Sequence, residues 1–170
     1  MVALNNTFNL IYTLLKYRVY SAVLGAHLEP MLGFVRTEAV AKASLVLDLM
    51  EVWRSLCDDF LVGFSKGLGM GDFVLKDEWF STNRLGKRQV LSEGKSGELS
   101  RKLDEYFERK VDIPRIKHGN RSSLDTLINE EVFVLAKYLR GEREKWIPRL
   151  PNPFGLGTKI MLNQEQKKIS

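Results

Sequence analysis

Residues 44–60 read Ser44-Leu45-Val46-Leu47-Asp48-Leu49-Met50-Glu51-Val52-Trp53-Arg54-Ser55-Leu56-Cys57-Asp58-Asp59-Phe60. Apolar side chains occupy most of the circumference that this stretch would have as a helix, so it predicts a helix that is largely buried. Asp48 and Glu51 stand at i and i+3, and Asp58 falls two turns beyond Glu51 on about the same face. Two neighbouring carboxylates repel one another and resist desolvation, so they need a cation, Arg or Lys partners, or water. A divalent metal with oxygen ligands is one answer, and such an ion stabilises the attacking and leaving oxygens in phosphodiester chemistry. The plainer answer is a solvated helix edge with Arg54 paired to Glu51 at i+3. On spacing alone the plainer answer is the commoner one.

The helix predicted from about residue 43 to about residue 65 has clear limits. Glycines at 67, 69 and 71 end it, and Glu29-Pro30 with Gly33 separate it from an earlier helix. That earlier helix is predicted from Leu4 to Ala26 by apolar residues at helical spacing: Leu4, Phe8, Ile11, Leu14, Leu15, Val19 and Val23. Residues 72–91 break the helical pattern. Trp79 and Phe80 lie close to Arg84, Lys87 and Arg88, which predicts a small hairpin near 78–91 or a basic loop. A third helix opens at Ser92-Glu93 and is expected to run to about Lys110. A fourth, capped by Ser122 or Ser123, is expected to end near Gly141. The fold class expected is therefore all-α, a helical bundle with that one hairpin. It occupies residues 1–147, and a Pro- and Gly-rich irregular arm covers residues 148–170.

The 170 residues suit one domain, and 44% hydrophobic with 28% charged residues is a soluble balance. No apolar run reaches the length of a membrane span. A single cysteine, Cys57, forms no internal disulfide, and a cytoplasmic location fits. Two histidines and one cysteine exclude a structural zinc cluster. Net charge of +5 favours an anionic partner such as nucleic acid. Arg54, Arg84, Lys87 and Arg88 are candidate DNA contacts, with an aromatic neighbour for stacking on an end base. A solvated hairpin accounts for the last three equally well.

The wording of residues 5–54 resembles one family. Gly33-Phe34-Val35-Arg36, seven residues, then Ser44-Leu45-x-Leu47-Asp48-Leu49-Met50-Glu51-x-x-Arg54 is similar to the signature of CRISPR-associated spacer-acquisition integrases. Asn5, Asn9, Tyr12, Leu14 and Leu15 resemble that family's preceding helix, and Leu28-Glu29-Pro30 its turn. Tyr138-Leu139-Arg140-Gly141 and Trp146-Ile147-Pro148 resemble its last helix and terminal element more weakly. The resemblance implies the C-terminal helical catalytic domain of a DNA endonuclease and integrase that uses Mg2+ or Mn2+ and inserts foreign DNA into the CRISPR array. It implies as partners DNA, a small second adaptation protein and further copies of the chain; for the family's N-terminal part, a half that is separately encoded, a truncated or degenerate copy and an excised domain all fit. It also implies three metal ligands: an upstream glutamate, the histidine of a Gly-Phe-Leu-His motif, and the acid three residues after the aspartate. Here the histidine position holds Arg36, a permanent cation that cannot ligate a metal. Glu51 matches the third ligand and Asp48 supports it; the first glutamate has no counterpart. The resemblance thus implies a metal site at Glu51 and Asp48 that is impaired in isolation. A non-catalytic helical scaffold that binds DNA or protein is the alternative. Arg36 is expected to pair with Asp48 or Glu51. If so, Arg36→His raises Mn2+ affinity in calorimetry, and unchanged affinity rejects the pairing.

Overall fold

The computed structural model describes residues 2–33, 43–81, 84–111 and 122–149; the side chains of residues 2–4, 80, 81 and 84 are outside that description. Arg36, His118 and most of the C-terminal arm lie outside the described residues. Four helices carry the fold: α1 (Val2–Gly25), α2 (Ser44–Ser65), α3 (Glu93–Phe107) and α4 (Leu124–Leu139). Between α2 and α3 stand β1 (Phe73–Ser81) and β2 (Arg84–Leu91), an antiparallel pair. A second, minimal pair joins β3 (Lys110–Val111) to β4 (Ser122–Ser123). The expected all-α bundle with one hairpin is thus observed as a mostly helical fold with two small two-stranded sheets, of which the β3–β4 pair was not anticipated.

The core follows from the helical periodicity. Ile11, Leu15, Val19, Ala22, Val23 and Ala26 form the buried stripe of α1. On α2 the buried set is Leu45, Val46, Leu49, Trp53, Leu56, Cys57 and Leu61. Leu99, Leu103 and Phe107 from α3 and Leu127, Val132 and Leu135 from α4 complete the cluster. Burial, with the charge of Asp58 adding to it, pushes the Cys57 thiol up to about 12. The thiol is therefore protonated and inert at neutral pH. Arg18 ties three helices together: it bonds Asp104 on α3, reaches Asp125 on α4 at 3.2 Å, and lies over the Phe107 ring at 4.7 Å.

The helix ends set the course of the chain. α1 stops in a left-handed residue, His27, with φ of 56°. The His27 amide donates to the Leu24 carbonyl and the Leu28 amide to the Val23 carbonyl, which satisfies the helix's last carbonyls. His27 is thus a capping residue. Gly141 repeats the arrangement after α4, with φ of 76° and amide bonds from Gly141 to Tyr138 and from Glu142 to Lys137. Ser92 and Ser123 cap α3 and α4 by accepting from the Lys95 and Thr126 amides. Among the described residues, no helix is long and apolar enough to cross a membrane.

Candidate metal and nucleic-acid site

The turn after α1 places the first part of the site. The Pro30 carbonyl accepts the Leu45 amide at 3.0 Å, which seats the turn on the first turn of α2. Gly33 then passes so close to α2 that an added Cβ would lie 2.5 Å from the Ser44 Cβ and 2.9 Å from Asp48 Oδ2. No larger residue fits there unless α2 or the turn moves. Gly33 therefore lies directly beside the Asp48 carboxylate.

Asp48 is half-buried and Glu51 exposed, so the acidic strip forms the solvent edge of α2, the plainer of the two arrangements that the spacing allowed. Arg54 Nη1 donates to both oxygens of Glu51, at 3.1 and 3.2 Å, with about half of each side chain exposed. This is the i+3 pair anticipated from the spacing. An exposed pair of this kind adds at most about 1 kcal/mol to stability. Its importance is positional, since it fixes a guanidinium next to a carboxylate.

One residue that the sequence did not assign to this region completes it. Tyr12, on α1, donates its phenol hydrogen to Asp58 Oδ1. Its ring lies under the Arg54 guanidinium, 4.6 Å from the centroid. Burial, followed by the bond to Asp58, holds the Tyr12 phenol above its usual value. Tyr12 and then Glu51 raise the already high basicity of Arg54. The partners of Tyr12 come from α2, 42 and 46 positions away, and no local motif announces them.

Asp48 and Glu51 are carboxylates three residues apart on α2, the donor type that an oxygen-binding cation such as Mg2+ or Mn2+ would require. Among the described residues, no group of three His, Cys, Asp or Glu side chains converges as a metal site. Two carboxylates hold Mg2+ weakly unless phosphate or further protein ligands join them.

The hairpin is the second candidate region. Its strands begin at Phe73, earlier than the expected window, and pair Asp77 with Lys87 and Lys76 with Arg88. Arg88 is ion-paired with Glu78, so the cationic strand is partly neutralised within the hairpin. Lys87 is exposed; the side chain of Arg84 lies outside the described residues. Leu75, Trp79 and Leu85 share one face, and Trp79 is 65% exposed. Arg88 is paired within the hairpin and Arg54 within α2.

Comparison with known proteins points in one direction. The family model described as "CRISPR associated protein Cas1" matches residues 3–95. The CRISPR-associated endonuclease Cas1 of Korarchaeum cryptofilum is 26% identical over 147 residues, covering 86% of this chain and 38% of that protein. The chain thus spans less than two fifths of that relative's length. Among solved structures, a casposase bound to integration product superposes with a TM-score of 0.72 at 24% identity, covering 88% of this chain and 38% of that one. A Cas6-RT-Cas1–Cas2 complex matches with a TM-score of 0.67 at 16% identity, over 85% of this chain and 15% of that one. These two structural likenesses speak for the fold alone.

Proposed function

The chain belongs to the CRISPR-associated Cas1 family, whose model covers more than half of its residues, and from that premise we propose that it forms the helical part of a spacer-acquisition integrase acting on DNA. The observation that carries the reading is the strip on α2: Asp48 and Glu51 one turn apart at a solvent edge, with Arg54 held against Glu51. Glu51 and Asp48 would hold a Mg2+ or Mn2+ ion there, and the ion would stabilise the attacking and leaving oxygens of a phosphodiester. Arg54 places a permanent positive charge beside that position for a phosphate oxygen. Arg84, Lys87 and Arg88 are assigned to phosphate contacts along the hairpin, with Trp79 available for stacking.

The same arrangement supports the view that the chain is impaired alone. The described residues supply two carboxylates, one of them already paired with Arg54, and the family histidine is replaced by Arg36. The second small adaptation protein is a natural partner, as in the Cas1–Cas2 assembly that shares the fold. Self-association is consistent with exposed apolar side chains such as Leu32 and Trp79.

Nicking of a branched DNA substrate with Mn2+ tests the reading, with the chain compared against Glu51→Ala. Weak nicking by the unaltered chain that the substitution abolishes is the expected result. Nicking that survives Glu51→Ala comes from a contaminant and removes the catalytic assignment. Binding without nicking in either protein favours a non-catalytic DNA-binding scaffold. That second reading draws on one observation, the pairing of Glu51 with Arg54.

A further inference from the structure

Asn5, Phe8, Asn9 and Tyr12 recur at i, i+3, i+4 and i+7, so they line a single stripe of α1. With Arg54 of α2 they enclose an open groove of about 390 Å3. Asn5 and Asn9 are exposed; Phe8 and Tyr12 are half-buried, with ring centroids 5.8 Å apart. The floor is thus aromatic, and the rim carries two neutral amides that can each donate and accept hydrogen bonds. The head of the groove is the guanidinium of Arg54. The carboxylates adjoining this head are engaged: Glu51 with Arg54, and Asp58 with the Tyr12 hydroxyl.

We propose that this groove binds the phosphodiester backbone of one DNA strand and leads it to the Glu51 edge, with Arg54 on a phosphate and the Asn5 and Asn9 amides on the adjoining backbone. The inference rests on the proposed DNA-directed function and adds to it a strand path along α1. The chemistry favours a polyanion. Neutral amides accept a phosphate without repelling it, and a single guanidinium held on a ring and on a carboxylate is preorganised for a two-point contact with phosphate. Tyr12 is a positioning residue in this scheme. It need not touch the strand, because its ring supports Arg54 and Asp58 anchors its hydroxyl.

The test is binding of a fluorescein-labelled branched DNA by the full chain in EDTA, across a range of salt concentrations. Chelation removes metal-dependent chemistry from the readout. Asn5→Asp with Asn9→Asp is expected to weaken binding about tenfold or more, because two new carboxylates would face phosphate. Both positions are exposed, so the fold tolerates the change, and Arg54→Ala serves as a second variant. It should lower the slope of log K against log salt by about one. Tyr12→Leu should reproduce the Arg54→Ala slope, whereas Tyr12→Phe, which keeps the ring, should retain the original one. Unchanged affinity and slope in the Asn5, Asn9 and Arg54 variants, with clear binding by the unaltered chain, overturn the groove and leave the DNA-directed reading standing. An original slope in Tyr12→Leu overturns the positioning role. Absence of any salt-sensitive binding by the unaltered chain overturns the groove and the functional reading together.

Discussion

Trp53→Ala is expected to lower the unfolding free energy by about 3–5 kcal/mol. Trp53 is fully buried at the centre of α2 and is the largest of the fully buried side chains. Its removal takes away dispersion contacts across the α1–α2 packing and leaves a void that fixed neighbours refill only in part. For a domain with a total stability of about 5–15 kcal/mol, that loss is a large share. Trp53→Phe should cost far less, about 1.5 kcal/mol or under. The indole N–H of Trp53 has no hydrogen-bond partner among the described residues, so the smaller ring removes an unsatisfied donor along with some packing. Urea unfolding followed by helical circular dichroism reads both variants without depending on tryptophan fluorescence. If Trp53→Ala loses less than Trp53→Phe, the placement of this side chain in the core is wrong.

The same helix shows what the sequence discloses. The apolar spacing of residues 45–61 is a local property, and it predicts both the helix and its buried face. The Glu51–Arg54 pair was legible for the same reason, since i+3 neighbours on a helix must meet. The capping serines were equally local: the fourth helix was expected to start at Ser122 or Ser123, and the hydrogen bond to the Thr126 amide selects Ser123. Turn chemistry around Pro30 and Gly33 was visible too, although the reason for Gly33 is tertiary: it lies against Ser44 and Asp48.

What stayed hidden depends on contacts far apart in the chain. Lys76, Asp77 and Glu78 look unlike strand residues by propensity, so the hairpin window opened too late. Cross-strand partners, Lys87 for Asp77 and Arg88 for Glu78, compensate for that propensity. The two-residue pairing of β3 with β4 carries no periodicity at all. The bond from Tyr12 to Asp58 joins α1 to α2 across 46 residues. The candidate groove lies on that join. A helix-by-helix reading finds the acids of the site and misses the tyrosine that supports its cation.

Arg149→Ala is expected to destabilise the chain by about 3 kcal/mol, with Glu131→Leu costing less and the double variant recovering most of the loss. Glu131 is only 1% exposed, yet it sits in the middle of α4 among Leu127, Val132 and Leu135. Arg149 reaches back from the segment after α4 and donates through Nε to Glu131 Oε1, while its Nη2 donates to Glu130 at 3.3 Å. Glu131 Oε2 has no partner among the described residues. Without Arg149 the carboxylate would be both buried and uncompensated, which is far more costly than losing an exposed ion pair. The reverse deletion is milder, because Arg149 keeps Glu130 and a fifth of its side chain already meets solvent. Replacing both ends removes the need for compensation and leaves an apolar residue on an apolar stripe, so the double variant should approach the original stability. A double-mutant cycle in urea gives the coupling directly. Coupling near zero would mean that the segment carrying Trp146 and Arg149 is not held by this pair, and that the terminal element docks on α4 by apolar packing alone.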